Sequence, residues 1–388
     1  MDRSSSTYKQ FESKKGHRIF RAILAVSFFF VSMEITARID DFAKYRAPFW
    51  EKYTADRLRS RDRNGIRHNV PGSRFEKWII NASGFRGPEI AVKKKAGIKR
   101  IVCMGTSETF GLYEPSGQEW PSQLSSLLSK YHGYEVINTA VVGLELGLYQ
   151  PYIQQYIINF QPNIIILMIN PFSYASGRYR REAASEQDPN HTPQQVKNRP
   201  GMDLSGVSGI IDGLRLPSKM KQTFKQLIPE SVLATYQLWN MRCQVSAIET
   251  IRLKGKSPSD HASPEGLALF QARIEELINY LTENHIKVIL CSYPVLIDAD
   301  NIDQYPAVFW DHRRFYVELS FKGLIDASIQ CNQALRIMAE RHQIAFVDLD
   351  RAIPNDMDHF GDNVHYTGKG AKLVAMELER QLVSAPSM

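Results

Sequence analysis

From residue 99 onward, short apolar runs alternate with stretches of helical spacing, and this alternation leaves the chain few folds. The runs are 100–104 (RIVCM), 135–137 (EVI), 163–169 (NIIILMI), 287–291 (KVILC) and 345–347 (AFV). Each has the length of a buried strand and is bounded by turn residues. Between them, Leu124, Leu127 and Leu128 share one side of a helix over 118–131. Leu148, Tyr152, Ile153, Tyr156, Ile157 and Phe160 mark a second helix at three- and four-residue spacing. Leu267, Phe270, Ile274, Leu277, Ile278 and Leu281 mark a third, and 324–338 and 371–382 are helical as well. Strands alternating with helices predict a parallel sheet covered on both faces, an α/β three-layer sandwich.

Two stretches break the pattern. Residues 40–98 read as a lead-in with few strong apolar runs. Residues 176–262 are rich in Pro, Gly, Ser and charge and read as a surface insertion and candidate cap, with one helical stretch near 220–243. The α/β domain is thus expected over 99–385, interrupted by this insertion.

The amino terminus has its own character. Residues 1–21 hold Arg3, Lys9, Lys14, Lys15, Arg18 and Arg21 against Asp2 and Glu12, four of the seven net positive charges of the chain. Basicity therefore sits in a tail rather than on a nucleic-acid-binding surface, and nucleic acid is not an expected partner. The apolar run 22–33 follows directly. Extended over 19–39 it reaches membrane-spanning length, with Arg21 and Arg38 able to snorkel and Glu34 one helical turn from Arg38. Six Lys/Arg precede the run and Arg38, Lys44 and Arg46 follow it. That bias predicts an uncleaved anchor over 22–39, the 1–21 tail in the cytoplasm and the rest extracytoplasmic, periplasmic in a Gram-negative cell. A cleaved signal peptide has a poor site at Ile35-Thr36-Ala37, and a buried helix of a soluble protein is the third reading. Four scattered cysteines form neither a disulfide scaffold nor a CxxC pair.

In parallel sheets, sites form beyond the carboxyl ends of strands. The first strand is followed by Gly105-Thr106-Ser107-Glu108-Thr109-Phe110-Gly111. It is neither a Walker loop nor a GxSxG elbow. It places a hydroxyl at a strand-to-helix turn, where Ser107 alone would read as an N-cap. Gly143 follows the second strand and would by itself be an ordinary turn residue. Asn170-Pro171 follows the third, equally a strand-end turn. Near the end stands Asp362-Asn363-Val364-His365. Three residues of separation let a carboxylate reach imidazole Nδ1 and leave Nε2 free as a base. The same spacing occurs at Asp188/His191 and Asp356/His359, both in polar loop sequence and read as solvated. Only Asp362/His365 directly precedes the last amphipathic helix, with Thr367 as its N-cap.

Taken in order, these pieces resemble the SGNH/GDSL hydrolases. The stretch 105–111 resembles that family's first block, Gly143 its second-block glycine, Asn170 its third-block asparagine, and Asp362 and His365 its fifth block. Residues 81–89 (NASGFRGPE) resemble a lead-in of bacterial members, which often carry an N-terminal anchor. The chain departs from the family pattern at Thr106, where Asp is usual, and at Met168 and Pro171, where Gly and Asp are usual.

The resemblance implies a flavodoxin-like sandwich and a serine esterase acting through an acyl-enzyme. Ser107 would be the nucleophile, His365 the base and Asp362 its orienter, with the Ser107 and Gly143 N–H groups and the Asn170 side chain as the oxyanion hole. It implies no metal and no organic cofactor. The implied partners are an acyl ester or acylated glycan and, through the N-terminal helix, the membrane. Transfer to a sugar hydroxyl would make the protein an O-acyltransferase of a cell-surface glycan. A degenerate glycan-binding member is the non-enzyme alternative.

Overall fold

The computed structural model describes residues 4–51, 53–177, 214–217, 219, 220, 223 and 228–384. The chain forms two compact units. One comprises 1–54 and 199–229, the other 55–198 and 230–388.

In the first unit a single helix, α1 (Ser4–Tyr45), contains the stretch Phe20–Tyr45, which is long and apolar enough to cross a membrane. Its 26 residues rise about 39 Å, against the ~30 Å of a hydrocarbon core. Phe20, Leu24, Phe28 and Phe29 are exposed along it. Arg38 Nε donates to Glu34 at 2.7 Å, the pair the spacing predicts. Glu34 also accepts the backbone N–H groups of Arg215 and Leu216, so its carboxylate has partners at the apolar segment's end.

The second unit is the α/β fold. Its lead-in makes two small antiparallel pairs, β1 (Arg59–Arg61) with β2 (Arg67–Asn69) and β3 (Arg74–Phe75) with β4 (Trp78–Ile79). Then come β5 (Lys99–Met104), α2 (Ser107–Phe110), α3 (Trp120–Leu128) and β6 (Tyr134–Asn138). Next are α4 (Tyr149–Tyr152), continued to Phe160 by a π and a 3-10 turn, β7 (Ile164–Met168) and α5 (Phe172–Ala175). Beyond residue 229 come α6 (Glu230–Leu253), α7 (Pro264–Glu283), β8 (Lys287–Cys291), α8 (Pro306–Arg313) and α9 (Phe321–Arg341). Strand β9 (Ala345–Val347), α10 (Leu349–Ala352) and α11 (Gly368–Ser384) close the chain.

Strands β5 to β9 form one parallel sheet in the order β6-β5-β7-β8-β9. Register pairs run Cys103 with Ile166, Ile166 with Ile289 and Ile289 with Ala345. Counted from β5, this is the doubly wound 2-1-3-4-5 order of flavodoxin-like sheets. The strands are nearly all apolar because both faces are covered, and Ile165–Met168 is fully buried. Helices α3 and α11 pack together on one face, while α4, α7 and α9 form the other. Ser263 caps α7 by accepting the Gly266 N–H at 3.1 Å, with Pro264 in its first turn. Phe270, Ile274, Leu277, Ile278 and Leu281 then face the sheet at helical spacing.

Within the insertion, 178–213 lies outside the described residues. The helix expected near 220–243 is observed as α6, Glu230–Leu253. It begins after Pro229 with an acid in its first turn, and ends where Lys254 and Gly255 turn left-handed. Its carboxyl half docks on α8 through the buried Val245, an Arg313–Glu249 ion pair and an Arg314–Gln244 hydrogen bond. All four cysteines are free, with Cys103, Cys291 and Cys331 buried.

Candidate active site

The reversal of strand order falls between β5 and β7, and there the crevice at the carboxyl ends opens. Strand β5 runs into Gly105 and Thr106, and Ser107 begins α2. A Cβ on Gly105 would lie 2.1 Å from Thr109 Oγ1, so only glycine fits under this turn. Beyond β6 the chain turns at Gly143 with φ +72, against which the Arg67 guanidinium packs. Arg67 Nη1 donates to the Val142 carbonyl. Beyond β7, Asn170 Oδ1 accepts the Phe172 N–H at 3.0 Å and Asn170 Nδ2 donates to the Tyr293 hydroxyl at 3.1 Å. Among the described residues, no acceptor takes the backbone N–H of Ser107 or Gly143.

Asp362 and His365 lie in the loop before α11. His365 Nδ1 lies 2.9 and 2.7 Å from the two Asp362 carboxylate oxygens. Asp362 Oδ1 also accepts the backbone N–H groups of Val364 and His365, and Oδ2 accepts the Tyr113 hydroxyl at 2.7 Å. Burial opposes charge on Asp362, but these bonds and the imidazole hold it far below the usual carboxylate range. On His365, burial pulls the pKa down, while Asp362 and the nearby Glu108 and Glu114 outweigh it and raise it above its ordinary value. His365 Nε2 is buried and has no hydrogen-bond partner among the described residues. Tyr113 packs edge-on against the imidazole, with ring centroids 5.2 Å apart.

Ser107, Gly143, Asn170, Asp362 and His365 all line one cavity of about 370 Å³. Its walls are mostly apolar, with Leu112, Val142, Leu144, Leu146, Ile169 and Phe315 among them. Asp311 and His312 of α8 complete one side, so the element carrying α6 also shapes the cavity. Burial pushes His312 down to about 4, which keeps it neutral.

The other two Asp-x-x-His copies stand apart. Asp188 and His191 lie outside the described residues. His359 and Asp356 make the same local bond, Nδ1 to Oδ1 at 2.7 Å, but neither lines the cavity. The His359 side chain is 19% exposed, half-buried rather than solvated. Its carbonyl lies 2.1 Å from where a Cβ on Gly370 would sit, so it is packed against the first turn of α11.

The sequence reading missed several supporting residues. Arg86, 3% exposed, donates to the carbonyls of Phe110, Gly111 and Glu114 and pairs with Glu119 at 3.4 Å. It thus ties the lead-in to the loop that follows Ser107. Its place in the NASGFRGPE stretch was the available signal. Tyr113, Tyr293 and Arg67 were equally unforeseen, because their partners lie far away in sequence, and so was Glu108, whose burial depends on the distant Tyr293 packing over the turn.

No family model and no curated protein matches the chain. It is similar to a GDSL-like lipase from Bacteroides thetaiotaomicron, at 15% identity and a TM-score of 0.40 over 76% of this chain and 93% of that one. It is similar also to Axe2, an acetylxylan esterase from Geobacillus stearothermophilus, at 13% identity and a TM-score of 0.38 over 74% of this chain and 96% of that one.

Proposed function

We propose that the protein is a serine esterase that cleaves an ester through an acyl-enzyme on Ser107. The observation that carries this reading is the His365 imidazole, bound to Asp362 through Nδ1 and with an Nε2 that has no partner among the described residues, in one cavity with Ser107. Asp362 fixes the tautomer, so Nε2 accepts the Ser107 proton as Oγ attacks the ester carbonyl. The carbonyl oxygen becomes an oxyanion, held by the N–H groups of Ser107 and Gly143 and the Asn170 amide. The imidazolium then protonates the leaving alkoxide. Water, deprotonated by the same Nε2, attacks the acyl-enzyme, and the imidazolium returns that proton to the departing Ser107 Oγ, releasing the acid and restoring both Ser107 and neutral His365. The test is turnover of a short-chain aryl ester by the full chain in detergent, and complete inertness toward such esters rejects the reading.

The pH dependence has a definite sign. His365 must be neutral to accept the serine proton, and its pKa is raised from 6.5. Activity is therefore lost as pH falls through a value above 6.5. A kcat/KM profile should show a single acid limb there. A limb below 6.5 would mean that the charges of Asp362, Glu108 and Glu114 do not act on the base.

The anchor reading extends the proposal to location. The charge bias across 22–39 places the cavity on the extracytoplasmic side, where protease added outside should cut the α/β unit while the chain stays in carbonate-washed membranes. Recovery of the full-length chain in the cytosol would reject this placement.

A further inference from the structure

Glu108 directly follows Ser107 and is 1% exposed. Its donors among the described residues are all neutral. Oε1 accepts the Thr106 N–H at 2.8 Å, and Oε2 accepts the Thr106 hydroxyl and, at 3.4 Å, the Tyr293 hydroxyl. Thr109 Oγ1 lies 3.5 Å from Oε1. A carboxylate buried among neutral groups is costly, and an apolar residue would fill the same space without that cost. The turn is built around it, since a Cβ on Gly105 would lie 2.9 Å from Oε1.

The Tyr293 hydroxyl links this carboxylate to the next strand end. Its backbone is pinned by Asn332 of α9, which accepts the Tyr293 N–H at 2.7 Å and donates to its carbonyl at 3.1 Å. Burial first, and Glu108 second, push the Tyr293 phenol well above its ordinary range, so it keeps its proton and donates to Glu108. The same oxygen accepts from Asn170 Nδ2. With Asn170 Oδ1 held by the Phe172 N–H, the amide cannot flip, and its second N–H remains for a ligand. The bonds cross the carboxyl ends of three neighbouring strands, β5, β7 and β8.

We infer that Glu108 is a positioning residue which, through the Tyr293 hydroxyl, fixes the Asn170 amide relative to the Ser107 turn, so that the oxyanion donors from two strands are held in one geometry before substrate arrives. This rests on the reading of Asn170 as an oxyanion donor.

A double-mutant cycle on the full chain tests it, with Tyr293→Phe, Asn170→Ala and the pair, and with Glu108→Gln as a second entry to the network. Tyr293→Phe keeps the buried ring and should lower kcat about tenfold, the worth of one well-placed hydrogen bond, with KM changed less than about twofold. Asn170→Ala should lower kcat by roughly 10²–10³. The double variant should match Asn170→Ala within about twofold, because Tyr293 acts only through Asn170. Glu108→Gln should lower kcat, and adding Tyr293→Phe to it should cost little more. A further tenfold loss in the Tyr293/Asn170 pair, or an unchanged kcat in Tyr293→Phe, overturns the inference while Ser107 chemistry stands. A wild-type chain that neither turns over an ester nor acylates at Ser107 overturns both readings together.

Discussion

Ser107→Ala should lower kcat for an aryl ester by on the order of 10³-fold or more. The attacking oxygen is removed, and no other hydroxyl takes its place. Thr106, the adjacent hydroxyl, is engaged by Glu108. The substitution should leave the fold intact, because the Ser107 hydroxyl makes no hydrogen bond among the described residues. Its stability should stay within about 0.5 kcal/mol of the parent, as is usual for changes that touch no packed or bonded group. Unfolding curves that overlay, together with a collapsed kcat, are the expected pair of results. A folded Ser107→Ala protein with parental turnover would remove the acyl-enzyme from the account.

The second large effect separates two histidines with the same local geometry. His365→Ala should also lower kcat by on the order of 10³-fold or more, since the base and the later acid are one side chain. His359→Ala should leave kcat within about twofold, because the half-buried His359 does not line the cavity and touches none of the reacting atoms. Both imidazoles receive an aspartate at Nδ1 three residues upstream. Only His365 reaches the cavity that contains Ser107. If His359→Ala is the dead variant, the base has been assigned to the wrong copy.

That pair also shows what local sequence can and cannot specify. A three-residue spacing on a turn brings a carboxylate to an imidazole wherever it occurs, so the bond itself did not choose between the copies. The choice came from position, ahead of the last amphipathic helix, and α11 begins three residues after His365. The strands were legible for a similar reason. A parallel strand covered on both faces needs an unbroken apolar run, and Lys287–Cys291 and Ala345–Val347 stand where such runs were read. The rule that sites lie beyond strand carboxyl ends drew attention to Ser107, Gly143 and Asn170, but each alone read as a cap or turn residue, and their proposed roles came from the family resemblance.

The supporting shell was not legible, because its logic is tertiary. Arg86 meets Phe110, Gly111 and Glu114 only after the lead-in folds back along β6, where Arg86 bridges Asn138. The 40–98 stretch looked sparse because its polar side chains, Arg67, Asn69 and Arg86, bond to loops of the α/β sheet instead of building a core of their own. Helix α8 is too short for periodicity to reveal, yet it supplies Asp311 and His312 to the cavity. Glu108 would be expected on a solvated turn, and it is buried instead against Thr106 and Tyr293.

The central claim is that Ser107 carries the acyl group between two half-reactions. It is tested most directly by intact-mass analysis of the full chain, acid-quenched during the first turnover of an ester with an activated leaving group. The account predicts a mass gain of one acyl group on the wild-type protein, mapped to the peptide containing Ser107 and absent from Ser107→Ala. Rapid ester turnover with the acyl group on another residue, or an adduct that persists in Ser107→Ala, would contradict it.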